Sequence, residues 1–108
     1  MPSNEICEFC SKVRKKITNK KMIGLPTYGA IEVHIKEFEP EPLYIEVKNG
    51  NVSVEPYDYK NKDATISLDM KTLYNIYERK ISINEALNTQ KVLIDGDAEI
   101  LNCLQRNI

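Results

Sequence analysis

Asp63-Ala64-Thr65-Ile66-Ser67-Leu68-Asp69 opens the stretch, running on to Leu104, whose reading decides the fold. Ala64, Ile66 and Leu68 alternate with Thr65 and Ser67, the period of two that marks a half-buried strand. Asp69 then offers a carboxylate to the free N–H groups of a helix start, and Met70, Leu73, Ile76 and Tyr77 follow at helical spacing. Ser82 and Glu85, three apart, form a capping box that begins a short second helix carrying Ala86 and Leu87. Lys91-Val92-Leu93-Ile94-Asp95 reads as another strand, stopped by Gly96-Asp97. Ile100, Leu101, Leu104 and Ile108 place an apolar stripe on a last helix.

Working upstream, Ile6, Phe9, Cys10, Val13 and Ile17 line one face of a helix from Glu5 to about Asn19. Its other face is basic: Lys12, Arg14, Lys15, Lys16, Lys20 and Lys21 stand against only Glu5 and Glu8. The charge is therefore polarised along the chain although the net value is −1. Gly24 to Gly29 reads as a loop, and Ile31 to Lys36 as a strand. Glu39-Pro40-Glu41-Pro42 is a turn, because two prolines so close cannot continue a ladder. Leu43, Ile45 and Val47 mark the second strand, Asn49-Gly50 a hairpin, and Val52 to Glu55 a third strand halted by Pro56. Tyr57 to Lys62 is a polar connection to the fourth strand, at Ala64.

One face of these strands collects Ile31, Val33, Ile35, Leu43, Ile45, Val47, Val52, Val54, Ile66 and Leu68. The other collects Glu32, His34, Lys36, Glu46, Lys48, Ser53, Thr65 and Ser67. So two-sided a sheet is antiparallel with one solvated face. The expected architecture is α+β: a five-stranded, mainly antiparallel sheet with its helices packed on one face. Any cavity then lies between sheet and helices.

Size and composition narrow the function. A chain of 108 residues supports a single domain with one core, which is aliphatic here because Trp is absent and aromatics make up 7%. No apolar run approaches the roughly 20 residues of a membrane span, and no apolar signal region follows Met1, so the expected location is cytoplasmic. Cys7 and Cys10 lie inside a helix, not at the strand-to-helix junction of a redox motif, and only His34 and Cys103 remain as further soft ligands. They read as structural thiols, with no metal and no cofactor expected. His34 falls on the polar face and reads as a surface histidine. Few aromatics interleave with the lysines and the isoelectric point is near 5.9, which argues against nucleic acid. No nucleophile stands beside a recognisable base and no phosphate-binding glycine loop occurs, so catalysis is not expected.

The alternating strand at Ala64-Thr65-Ile66-Ser67-Leu68, the helix ending in Lys80-Ile81, Ala86-Leu87 and Lys91-Val92-Leu93-Ile94 with Gly96-Asp97 together resemble the sterol-carrier-protein-2-like domains. The family usually has a glycine before each of the two lysines; here Arg79 and Gln90 stand there. Should that backbone take positive φ, a side chain costs about 1 kcal/mol or forces another turn. The chain also ends soon after the last helix begins, whereas several lipid carriers extend further.

The resemblance implies a non-catalytic module that binds a fatty acid, fatty acyl-CoA, phospholipid or sterol in an apolar cavity. Its walls are expected from Ile66, Leu68, Leu73, Ile76, Tyr77, Leu87, Leu101 and Leu104. The same residues would also serve a plain core. The basic first helix offers transient contact with an anionic membrane surface. The alternative is an interaction or oligomerisation module on the same fold, as monomer or homodimer.

Overall fold

The computed structural model describes residues 4–18, 24–57, 62–97 and 99–107. Helix α1 (Asn4–Thr18) is followed by β1 (Tyr28–Ile35), β2 (Pro42–Lys48) and β3 (Asn51–Glu55). Then come β4 (Ala64–Leu68), α2 (Met70–Tyr77), α3 (Ile83–Asn88), β5 (Val92–Gly96) and α4 (Glu99–Asn107). Most of the expected 57–62 connection, together with Lys20, Lys21 and Ile108, lies outside the described residues.

The five strands form one sheet in the order β3-β2-β1-β4-β5. Three pairings are antiparallel, as the alternation leads one to expect, whereas β1 and β4 run parallel. The β1–β2–β3 meander therefore turns back, and β4 joins on the free side of β1. Strand β1 begins three residues before the first alternating residue, because Tyr28, Gly29 and Ala30 find partners in Lys48, Val47 and Glu46. At the hairpin tip both Asn49 (φ 50°) and Gly50 (φ 84°) adopt the left-handed conformation that Asn-Gly tolerates best.

Ile31, Val33, Ile35, Leu43, Ile45, Val47, Val54, Ile66, Leu68 and Val92 face one side and are buried. Side chains from all four helices complete that core: Ile6, Phe9 and Val13 from α1, Leu73 and Ile76 from α2, Ile83 and Ala86 from α3, Ile100 and Leu104 from α4. Arg14 fastens α1 to the sheet, its Nε donating to the Val54 carbonyl at 2.8 Å.

The opposite face is less solvated than the alternation suggests. Glu32, expected in water, is only 5% exposed. It sits on the central strand between Tyr44 and Thr65. Burying a carboxylate requires partners. They are His34 Nε2 at 2.6 Å and Lys62 Nζ at 3.5 Å from the same oxygen. His34 is accordingly half-buried and engaged, not a free surface group, and its Nδ1 lies 2.9 Å from Glu39 Oε1.

Strand β5 closes against β4 at a tight spot. A Cβ on Gly96 (φ 102°) would run into the Asp63 carbonyl and stand 2.9 Å from Ala64 Cα, so only glycine fits there. Both short helices end in a left-handed residue that carries a side chain, Arg79 (φ 62°) and Gln90 (φ 59°). At the first, Arg79 N–H bonds the Ile76 carbonyl and Lys80 N–H the Asn75 carbonyl, at 3.1 and 2.8 Å. At the second, Gln90 bonds Leu87 and Lys91 bonds Ala86, again at 3.1 and 2.8 Å. These are the paired bonds of a glycine-type helix stop, formed without glycine. The glycine conformation is kept and its steric cost is borne. Arg79→Gly and Gln90→Gly should therefore each stabilise the protein by about 0.5–1 kcal/mol, raising the thermal midpoint by several degrees. A midpoint that stays put or falls in both variants would refute this account of the turns.

Candidate functional site

The candidate site begins with the start of α2. Asp69 Oδ1 accepts the Thr72 N–H at 2.8 Å, which fixes the first turn. From that start Leu73, Ile76 and Tyr77 fall on one side of the helix. Helix α4 starts where Asp97 Oδ1 accepts the Glu99 N–H at 3.0 Å, and it presents Leu101, Leu104 and Gln105. With Phe9 and Val13 of α1 and Ile45 of β2, these side chains line a small apolar cleft of about 40 Å³ between the three helices and the sheet.

Five of the eight residues expected as cavity walls meet here: Leu73, Ile76, Tyr77, Leu101 and Leu104. Ile66 and Leu68 do not reach it; each is 1% exposed within the sheet's own core, because β4 lies deep under the helices. Leu87 lies elsewhere, on α3, and is 40% exposed. Phe9 and Val13 carry a sequence signal, the stripe of α1, but that stripe reads equally well as core. Ile45 likewise sits in an alternating strand. Gln105 carries no signal at all, being a polar residue in an apolar setting. Its Nε2 donates to the carbonyls of Ile76 and Ile81 at 3.0 and 2.9 Å, so its donors are taken up by the last turn of α2 and the connection that follows.

Aromatic rings form the rim. Phe9 meets Tyr74 and Tyr77 edge-on, with centroids 5.2 and 5.5 Å apart. Lys12 lies over Tyr74 at 5.1 Å and Lys16 over Tyr77 at 4.6 Å. Such edge contacts each add about 0.5–1.5 kcal/mol, while the two lysines lie over the ring faces on the exposed side. Tyr77 Oη donates to the Lys12 carbonyl at 3.3 Å, a long bond joining α2 to α1. Burial pushes the Tyr77 hydroxyl above its usual value.

Three larger depressions, of about 280, 340 and 390 Å³, are open and lined with charged groups. Cys10 is buried, and desolvation pushes its thiol up to about 11, leaving little thiolate at neutral pH. No group of three or more metal-binding side chains occurs among the described residues. Nor is any helix among them long and apolar enough to cross a membrane.

The sequence model of the SCP-2 sterol transfer family matches residues 13–107. The chain belongs to this family. The resemblance, whose distinctive motifs lie from Ala64 onward, is thereby borne out, with a match that reaches upstream to Val13 in α1. Among solved structures, UbiJ-SCP2, a ubiquinone synthesis protein, has a TM-score of 0.69 at 14% identity, with 98% of this chain and 91% of that one covered. Palmitated SCP2L2 from Aedes aegypti gives 0.68 at 18% identity, covering 98% and 93%. The sec-alkylsulfatase Pisa1 from Pseudomonas sp. gives 0.67 at 18% identity, but this chain spans only 14% of that enzyme's length. At these identities the likeness is one of fold. No curated protein sequence matches the chain.

The start of α2 yields a pH test. Hydrogen bonds from Thr72, first from its side chain and then from its backbone, hold the Asp69 carboxyl below its ordinary 3.8. A depressed folded value means the cap contributes fully above that ordinary value and fades as pH falls through the folded one. Asp69→Ala should cost about 1 kcal/mol at neutral pH. Denaturation curves of variant and parent should then converge in strongly acidic buffer; an undiminished gap there would assign the loss to something other than the ionised cap.

Proposed function

We propose that this chain, acting as a single module, binds the hydrocarbon part of a lipid in the cleft between α1, α2 and α4 and carries it without any covalent step. The cleft itself is the observation behind this reading. Its lining is aliphatic and aromatic, and its one amide, on Gln105, is already occupied by two backbone carbonyls. Such a surface offers little to a polar ligand, whereas each CH₂ entering it gains about 0.8 kcal/mol. Membership of a sterol transfer family supports the same reading, as does the fold shared with a palmitated protein.

At about 40 Å³ the cleft is too small to hold a lipid tail as it stands, since ligand sites usually hold roughly 300–1,000 Å³. Binding therefore requires the helices to part. The contacts to be broken are mainly apolar and aromatic, with the 3.3 Å bond from Tyr77 to Lys12 between α2 and α1 and the two Gln105 bonds between α4 and the end of α2 as the polar ties. Lys12, Lys15 and Lys16 are exposed on α1 beside the rim. Loading from an anionic bilayer follows from that placement, at about 1 kcal/mol per basic residue near the surface.

A second reading, an interaction module, draws on Leu93, which is 63% exposed on β5, an edge strand of the sheet. Its apolar side chain would be covered by a partner.

Native mass spectrometry with displacement of a fluorescent fatty acid separates these readings. Stoichiometric, displaceable binding is expected, and Leu101→Gln, placing an amide in the lining, should weaken it about tenfold or more. A protein that takes up no acyl chain, with or without dimerisation, would end the carrier reading.

A further inference from the structure

The two edges of the sheet differ. At β3 the edge is covered: Arg14 of α1 reaches over it, its Nε donating to the Val54 carbonyl at 2.8 Å and its guanidinium lying 3.6 Å from Glu55. At β5 no further strand lies beyond Val92–Gly96 among the described residues. That edge carries Leu93, which at 63% is more exposed than any other large apolar side chain among them. A strand edge with unpaired backbone groups and an apolar centre is a template for another strand.

We propose that β5 pairs with β5 of a second copy of this chain, antiparallel about a twofold axis at Leu93, so that two sheets become one. The proposal rests on the interaction reading above and adds which partner covers Leu93 and in what register. Lys91-Val92-Leu93-Ile94-Asp95 is self-complementary when run against itself. Leu93 then stands opposite its own counterpart, Lys91 opposite the second copy's Asp95, and Val92 opposite its Ile94. Leu93 and Asp95 lie beside Ser67 and Thr65 on the outer face of the sheet, and Lys91 precedes Leu93 by two residues, so alternation gives all three that face. Lys91 and Asp95 are exposed, and neither forms an ion pair among the described residues. Two opposite-charge pairs thus flank one apolar pair, and the paired residues carry no net charge. Moving the axis to Ile94 would instead set each Leu93 against Asp95, an apolar group against a charge.

The assembly closes at two copies, because each copy spends its β5 edge on the other and keeps its β3 edge under Arg14. The cleft is untouched, since none of its lining residues belongs to β5. So short an edge buries less than a standard interface, which sets the association at the weak, micromolar end.

Sedimentation velocity over roughly 1–500 μM, a range chosen to bracket that micromolar end, should show the parent pass from monomer to dimer. Leu93→Lys, at an exposed position that the core does not use, should weaken the dimer about tenfold or more by setting like charges opposite each other. Lys91→Asp and Asp95→Lys should each weaken it in the same way, since each leaves two like-charge pairs across the axis. Mixed in equal amounts, the K91D and D95K proteins should associate with one another about as tightly as the parent does with itself, because every charge then faces its opposite. A parent that stays monomeric throughout would overturn the self-pairing and leave the interaction reading to a different partner. A dimer indifferent to Leu93→Lys would overturn the proposal and remove the ground of the interaction reading as well. Single charge variants that dimerise like the parent, or a mixture that fails to associate, would overturn the register and the proposal with it.

Discussion

The parallel pairing of β4 with β1 is the constraint on which the rest of the structure depends. It joins a local meander to everything that follows, and it must be made across a long intervening segment before any helix of the second half can be placed. Asp63 secures it from both ends of the peptide unit: its N–H donates to the Ala30 carbonyl at 2.7 Å and its carboxylate accepts the Ala30 N–H at 2.9 Å. A slip of one residue would turn Ile66 and Leu68 to water and Thr65 and Ser67 to the core. The same residue then accepts the Asp97 N–H at 3.2 Å, so the strand that starts the second half and the turn that ends it are tied at one point. Gly96 is required there because no side chain fits against that carbonyl.

Most of this was legible from short-range pattern. Alternation assigned the faces of Leu43, Ile45 and Val47, Asn49-Gly50 placed the hairpin, and Asp69 and Ser82 placed two helix starts, because each is set by chemistry within a few residues. The parallel β1–β4 pairing was not legible, since nothing local distinguishes a strand that pairs parallel from one that pairs antiparallel. Glu32 escaped for a related reason. A polar residue on the outer face of a central strand is flanked on both sides, and only the neighbouring strands reveal that Tyr44, Thr65 and His34 will cover it.

The site was half legible for the same physical cause. Stripes on α2 and α4 named Leu73, Ile76, Tyr77, Leu101 and Leu104, but an apolar stripe looks alike whether it borders a gap or fills one. Ile66 and Leu68 lie deep in the core on β4, away from the cleft, and Leu87 lies on α3, partly exposed. Gln105 became recognisable only when its two carbonyl partners were in place. The narrowness of the cleft follows from the same aliphatic economy. With few aromatics and no tryptophan, the core is filled by small, well-fitting side chains, and a cleft of only about 40 Å³ is left between helices and sheet.

The two side-chain-bearing helix stops bracket α3, a helix of only six residues. Both of its boundaries thus hold a residue in a conformation it adopts unwillingly, and its own length is too short to sustain a helix without tertiary contacts. Short length and two strained stops thus weaken the 79–90 segment relative to the sheet it packs on, where Ile83 and Ala86 are its buried anchors. Its amides should exchange with solvent by an opening smaller than global unfolding. In this light the segment is a built-in soft joint, set between the strands that hold the fold and the helices that would have to move.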